Sequence, residues 1–250
     1  FMRNPDIRLD LWPIVVKGKA MDVLKMSNPV EEVPILFLKE MLQQGKKEKH
    51  MPDEDLGDFL LNRFQPTGQQ AITSYYQMED EKPVWSGIAL FDHGKMVGTL
   101  SPKETTALLQ IRDGELGEIL EAPCANYRGN IGFRPLGIKK KVRFRDPLSI
   151  EIEISVRGSL LEKNCHVDLH DAKVLNQLEQ AIAKEYMKYA KQMLHKIQKE
   201  YKVDVLLLGR YLYAYHPQKW KTIKWHEQFP HVPLNLRYQV QIIQFGVVPK

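Results

Sequence analysis

From Asp171 to Tyr201, apolar residues recur three or four apart at Leu175, Leu178, Ile182, Tyr186, Tyr189, Met193 and Ile197, with Lys, Glu and Gln between them. This is the period of one long helix with a single apolar stripe. At about 1.5 Å per residue such a helix reaches roughly 45 Å, enough to cross a whole small sheet.

The strands for such a sheet lie on both sides of it in sequence. In Ile138 to Arg145, Val142 and Phe144 alternate with Lys141, Arg143 and Arg145; in Ser149 to Ser155, Ile150, Ile152 and Ile154 alternate with Glu151 and Glu153. A three-residue loop Asp146-Pro147-Leu148 sets Arg143 opposite Glu151 and Lys141 opposite Glu153. The same register sets Phe144 beside Ile150 and Val142 beside Ile152. A two-residue loop would put Arg143 opposite Ile150 and mix the faces. Near the end, Leu234, Leu236, Tyr238, Val240 and Ile242 alternate with Asn235, Arg237, Gln239 and Gln241, a strand with one buried face.

Earlier, Leu11 to Val16 reads as a short strand. Glu31 to Gln44 reads as a helix ending before Gly45, the run 45–50 as a solvated loop, and a second helix starts near Asp53, with Leu56, Phe59, Leu60 and Phe64 on one face. Gln70 to Met78 is strand-like, and Glu79-Asp80-Glu81-Lys82-Pro83 reads as a linker or exposed turn. Trp85 to Phe91, the turn 92–95 and Met96 to Leu100 make a strand pair. Ser101-Pro102-Lys103-Glu104 then opens a helix with a capping box, and Asp113-Gly114 stops it. The expected class is α+β and multi-domain, with antiparallel or mixed sheets, helices packed on them, and the one long helix in the C-terminal part. Boundaries are expected at 1–82 (the remainder of an N-terminal domain), 83–147 (a small central domain) and 148–250 (a C-terminal domain).

Over 250 residues, 43% hydrophobic and 27% charged residues describe an ordinary folded chain. A net charge of +5 favours an anionic neighbour only mildly. No apolar run is long enough to span a bilayer. The chain opens at Phe1, which reads as a fragment or processed form. Cys124 and Cys165 have neither CxxC nor metal-type spacing, so two buried free thiols are expected.

The densest chemistry lies in GRYLYAYHPQKWKTIKWHEQFPH, Gly209 to His231. His226-Glu227-Gln228-Phe229-Pro230-His231 is one residue too long for a zinc-protease helix and contains a Pro, so that motif fails. GxSxG, P-loop and GxGxxG motifs are absent, and no enzyme, cofactor or metal site is expected. The acidic cluster Asp53-Glu54-Asp55 reads as the first turn of a helix. The stripe Lys139, Lys141, Arg143 and Arg145 has the chemistry to contact phosphates, and these four, with Glu104 and Asp204, are the candidate partner contacts. The competing readings are a salt-bridged hairpin for the stripe, a helix cap for Glu104 and a helix-end ligand for Asp204. An alternative function is a nucleic-acid or polysaccharide binder using the 209–231 aromatics and the 139–145 stripe. It requires Tyr211, Tyr213, Trp220 and Trp225 to be exposed and coplanar. The favoured reading of the segment is a folded corner, with Pro217 starting a short helix and Trp220 turned inward.

Five segments, in order, resemble the Ger(x)C family, the C subunits of germinant receptors in endospore-forming bacteria. Trp85-Ser86-Gly87-Ile88-Ala89-Leu90-Phe91, Lys95-Met96-Val97-Gly98 and Leu100 are similar to its Gly-x-Ala-x-Phe and Lys-x-Val-Gly-x-Leu pattern, followed by Glu104-Thr105. Asp204-Val205-Leu206-Leu207-Leu208-Gly209 resembles the family's turn after a long helix, with Leu206 and Leu208 where aromatic or glycine residues are usual. Pro217, Trp220, Trp225 and Phe229-Pro230 follow, and Asn4-Pro5-Asp6-Ile7-Arg8 and Lys17-Gly18-Lys19-Ala20 are similar to part of its N-terminal domain. The resemblance implies a non-enzymatic subunit on the outer face of the spore inner membrane, held by a lipidated Cys that this chain lacks. It implies integral-membrane A and B subunits as partners and no nucleic acid.

Overall fold

The structure is a computed structural model that describes residues 8–25, 34–64, 67, 70–80, 82–145 and 148–245. In chain order it contains β1 (Ile14–Val16), α1 (Ala20–Leu24), α2 (Pro34–Lys47), α3 (Leu56–Phe64), β2 (Ile72–Glu79), β3 (Lys82–Asp92), β4 (Lys95–Leu100) and α4 (Pro102–Arg112). There follow β5 (Leu120–Pro123), β6 (Asn130–Arg145), β7 (Ser149–Lys163), α5 (Ala172–His195), α6 (Leu208–Tyr215), α7 (Pro217–Thr222), α8 (Trp225–Gln228) and β8 (Leu234–Phe245). This is the α+β class expected, with two mixed four-stranded sheets and one long helix. The chain groups into two compact units, Phe1–Thr105 with His195–His231, and Thr106–Leu194 with Val232–Lys250.

The first unit holds the sheet β1-β2-β3-β4, in which only β1 and β2 run parallel. Val23, Leu38, Leu42, Met51 and Tyr76 form its buried cluster, with Trp12 and Trp85 packed against it. Burial raises the Tyr76 phenol to about 12. The acidic cluster does open a helix: Asp55 Oδ1 accepts the Asp58 amide at 2.8 Å in the first turn of α3. Glu54 Oε2 also accepts the Ile72 amide at 3.2 Å, tying the start of α3 to β2.

The second unit is built around β7, which pairs antiparallel with β6 and parallel with β8; β5 lies beyond β6. Ile150, Ile152, Ile154 and Val156 of β7 all face the core, as do Leu178, Ile182, Tyr186, Ala190 and Met193 of α5. Tyr186 stacks on Tyr238 of β8 at 5.4 Å and meets Phe133 of β6 edge-on at 6.4 Å, so α5 lies on the inner face of the sheet. The buried Tyr238 hydroxyl donates to Gln110 Oε1 at 3.0 Å, and Gln110 Nε2 donates to the Leu116 carbonyl at 3.0 Å. Burial pushes the Tyr238 phenol far above its ordinary range.

The β6–β7 register is the one the alternation predicts. Arg143 stands opposite Glu151, Lys141 opposite Glu153, Val142 opposite Ile152 and Phe144 opposite Ile150, while loop residues 146–147 lie outside the described set. Residues 31–33 of the expected helix and the 4–7 family segment also lie outside it.

Several local expectations need correction. α2 does not stop before Gly45 but continues to Lys47, and glycine is required at 45 because a Cβ there would collide with the Met51 side chain. Of the two readings left open for residues 79–83, the exposed turn is the one found: Glu79 pairs with Lys82 across a hairpin reversal, with Asp80 at φ 47°. The expected boundary at 82 thus falls inside the β2–β3 hairpin, and that at 147 inside the β6–β7 hairpin; both are reversals within a single sheet. The long helix runs almost as far as expected: α5 passes at His195 into a wider turn, Lys196–Glu200, with Tyr201 N donating to the Lys196 carbonyl five residues back at 2.8 Å before Lys202, at φ 57°, breaks the helix.

The largest correction concerns the cysteines, which are not free thiols. Cys124 and Cys165 form a disulfide across a sequence separation of 41. Their spacing carried no signal because strand pairing brings them together. Pro123 at the end of β5 pairs with Asn130 at the start of β6, and Ile131 pairs on its other side with Lys163 near the end of β7. The residues just beyond β5 and β7 therefore meet. In the chain-entropy description, closing a loop of this length constrains the unfolded chain by about 4 kcal/mol. A Cys124→Ser/Cys165→Ser variant is expected to lose about 2–4 kcal/mol in denaturant melts, and mass spectrometry without reductant is expected to find both sulfurs blocked to alkylation.

Candidate functional site

The segments singled out by the sequence hold two buried carboxylates in the first unit and one cationic sheet face in the second.

Asp204 is 5% exposed and follows the widened turn after α5. Its Oδ1 accepts the Leu208 amide at 3.1 Å, and its Oδ2 accepts the Gly209 amide at 2.6 Å and Trp225 Nε1 at 2.8 Å. The carboxylate thus caps the first turn of α6, where backbone amides lack helical partners, and clamps α8 to it. Leu207 enters that turn at φ 59°. Gly209 is required by close approach, since a Cβ would stand 2.5 Å from Trp225 Cδ1 and Nε1. Trp225 itself is 4% exposed and packs on Phe229 at 5.8 Å.

Glu104 closes the capping box expected of it. Its Oε2 accepts the Ser101 amide at 2.8 Å and the Ser101 hydroxyl at 2.9 Å. The same oxygen receives Lys196 Nζ at 2.8 Å, a long-range ion pair with the carboxylate buried. The sequence gives no hint of this partner, because 92 residues separate the pair.

Lys139, Lys141, Arg143 and Arg145 are all exposed on the outward face of β6. The register matches, but the ion pairs run diagonally. Arg143 Nη1 reaches Glu153 Oε1 at 3.2 Å and Arg145 Nη2 reaches Glu151 Oε2 at 2.9 Å, because the arms lean along the strand. Arg145's hydrogen bond holds the Glu151 carboxyl below its ordinary range. The salt-bridged hairpin therefore accounts for two of the four cations and leaves Lys141 beside a glutamate already taken. Lys140, on the opposite face, instead donates to the Ile111 and Arg112 carbonyls at the end of α4.

The aromatic corner makes no stacking platform. Pro217 starts α7, and Trp220 is half-buried against Tyr213 with the rings at 83°. Trp225 is buried, the partly buried Tyr211 stacks on the exposed Tyr215 at 6.1 Å, and the exposed Tyr213 meets Trp220 edge-on, so the four rings do not lie coplanar on one open face. Nothing in this geometry supports the nucleic-acid or polysaccharide alternative. His226 meets His93 edge-on at 5.8 Å, and among the described residues no cluster of three or more His, Cys, Asp or Glu side chains is arranged to hold a metal.

Residues 1–78 match the family described as the spore germination protein N-terminal domain, and residues 86–246 match that described as spore germination B3/GerAC like, C-terminal. The chain belongs to the Ger(x)C family of germinant receptor C subunits. It is 25% identical over 256 residues to spore germination protein YndF of Bacillus subtilis (strain 168), covering 99% of this chain and 63% of that protein. Spore germination protein B3 of the same organism is 25% identical over 261 residues, with 100% of this chain and 69% of that one covered. The Bacillus cereus protein GerQC is 23% identical, with 98% and 68% covered. This Ger(x)C chain thus spans roughly two-thirds of the length of the relatives it matches. The crystal structure of the GerBC protein shares its fold, with a TM-score of 0.77 at 21% identity over 97% of this chain and 72% of that one.

In this family member, Asp204 and Trp225 are joined to each other, and Glu104 is joined to Lys196. Trp225→Phe, which removes one buried hydrogen bond and little volume, is expected to cost about 1–3 kcal/mol in thermal or urea melts. Asp204→Ala strands three donors and is expected to cost more, about 3–5 kcal/mol.

Proposed function

We propose that this chain is the greater part of a non-enzymatic germinant receptor C subunit. It is held by a lipid anchor on the outer face of the spore inner membrane and assembles with integral-membrane A and B subunits, coupling a nutrient to germination. The observation that carries the reading is the pair of family matches, which between them cover residues 1–78 and 86–246. The disulfide supports it from a separate direction, since structural disulfides persist in oxidising compartments outside the cytosol. No helix among the described residues is long and apolar enough to cross a membrane. Glu104 and Asp204, engaged internally, serve the fold in this reading, and the exposed cations Lys139, Lys141, Arg143 and Arg145 are the proposed contact residues.

The test is genetic and biochemical together. Spores from which the gene is deleted are expected to lose their response to one class of nutrient, with the response restored by a tagged full-length copy. The tagged protein is expected to co-purify with the A and B subunits from detergent-solubilised spore membranes. An unchanged nutrient response across a full nutrient panel, together with recovery of the protein free of both subunits, would overturn the assignment.

A further inference from the structure

The parity of the second sheet gathers more charge than the β6 stripe alone. Outward positions on β6 are Lys139, Lys141, Arg143 and Arg145, and on β7 they are Glu151, Glu153, Ser155 and Arg157. On β8 they are Asn235, Arg237, Gln239 and Gln241. Across the strands, Lys141 stands opposite Glu153 and then Arg237, Lys139 opposite Ser155 and then Gln239, and Arg157 opposite Gln241. Six cations thus share a face with two carboxylates, and both carboxylates are already bonded to Arg143 and Arg145. Among the described residues, Lys139, Lys141 and Arg157 have no ion-pair partner.

At the Lys139–Arg157 end lies a shallow depression of about 540 Å³, lined by Lys139, Ser155, Arg157, Gln239 and Gln241. Its walls offer hydrogen-bond donors and two positive charges but no carboxylate. Just beyond it, Leu136 and Ile243 stand at ladder irregularities on either side of Gly158, and both are exposed, at 43% and 46%. The face carries no aromatic side chain at its outward positions, so it lacks the stacking groups that single-stranded nucleic acid uses. It is a three-stranded surface of long flexible cations with apolar residues at one end, which complements a plane of anionic headgroups.

We propose that the outward face of β6–β7–β8 docks on an anionic phospholipid surface, with Lys139, Lys141, Arg157 and Arg237 above the headgroups and the depression receiving a phosphodiester. The proposal rests on the membrane-side reading above and deepens it. The anchor would hold the protein near the bilayer, and this face would set which side of the sheet turns toward it.

The experiment is co-sedimentation of the unlipidated 250-residue chain with vesicles, which separates this surface from any anchor. Retention is expected on vesicles containing phosphatidylglycerol, little on pure phosphatidylcholine, with a steep fall between about 0.05 and 0.5 M salt. A Lys139→Gln/Lys141→Gln/Arg157→Gln variant is expected to bind about a hundredfold more weakly, at about fivefold per cation, with an unchanged melting temperature. The control Lys173→Gln/Lys184→Gln/Lys191→Gln removes the same charge from α5 and is expected to bind as the parent does. No retention at low salt, equal retention on neutral vesicles, or an equal loss in the control overturns the proposal. So does displacement by inorganic phosphate at constant ionic strength, which would mark a free-anion site. If the triple variant loses the A and B subunits while keeping its vesicle binding, the face is a protein contact and the proposal is overturned. The receptor assignment is judged separately by the deletion phenotype, so either reading can fail without the other.

Discussion

The second unit depends on the register of β7 between its two neighbours. Side chains alternate with a period of two, so one choice of pairing sends Ile150, Ile152, Ile154 and Val156 to α5 and Glu151, Glu153 and Arg157 outward. A slip of β7 by one residue against β6 would turn Glu151, Glu153 and Arg157 toward the core and expose the isoleucines, mixing the two faces. The cost of burying those charges disfavours every odd-numbered slip. The same pairing brings Cys124 to Cys165 and assembles the cationic face. Core, staple and surface are consequences of a single alignment.

In the first unit the corresponding role falls to buried carboxylates with more than one task. Asp204 satisfies two amides that α6 leaves open and holds Trp225 against them. Glu104 closes a helix cap and neutralises Lys196. A buried carboxylate is costly unless several donors share it, and both sites meet that condition with three. This explains why residues that look like candidate chemistry in the family segments are engaged within the protein. The tryptophan, glycine and aspartate of the 204–225 region form a single joint.

The functional reading gains from this separation. Of the candidate residues, Glu104, Asp204 and Trp225 are engaged inside the fold, whereas the cations of the β6–β7–β8 face are turned outward. An accessory receptor subunit needs surfaces that orient it, and a rigid sheet presenting fixed rows of cations is suited to that.

Local patterns were legible wherever neighbours in sequence are neighbours in space. The period of α5, the alternation of β6, β7 and β8, the β6–β7 register and the Ser101–Glu104 box were all readable because each is decided within a few residues. The 45–47 extension of α2 was not, because glycine reads locally as a helix stop, and that Gly45 instead makes room for Met51 is seen only in the packed structure. Nor was the reversal between Glu79 and Lys82, whose strands had to be paired before it could be told from a linker. The sequence by itself determined which side of each strand and helix is apolar, and therefore the α+β class, the charge of the outward stripe and the family. Only the tertiary structure decided that two distant cysteines bond, that Arg143 and Arg145 rather than Lys141 take the glutamates, and that Asp204 meets Trp225. Those outcomes join residues brought together by strand pairing and helix packing, and no local spacing encodes a contact whose two halves are positioned by different elements.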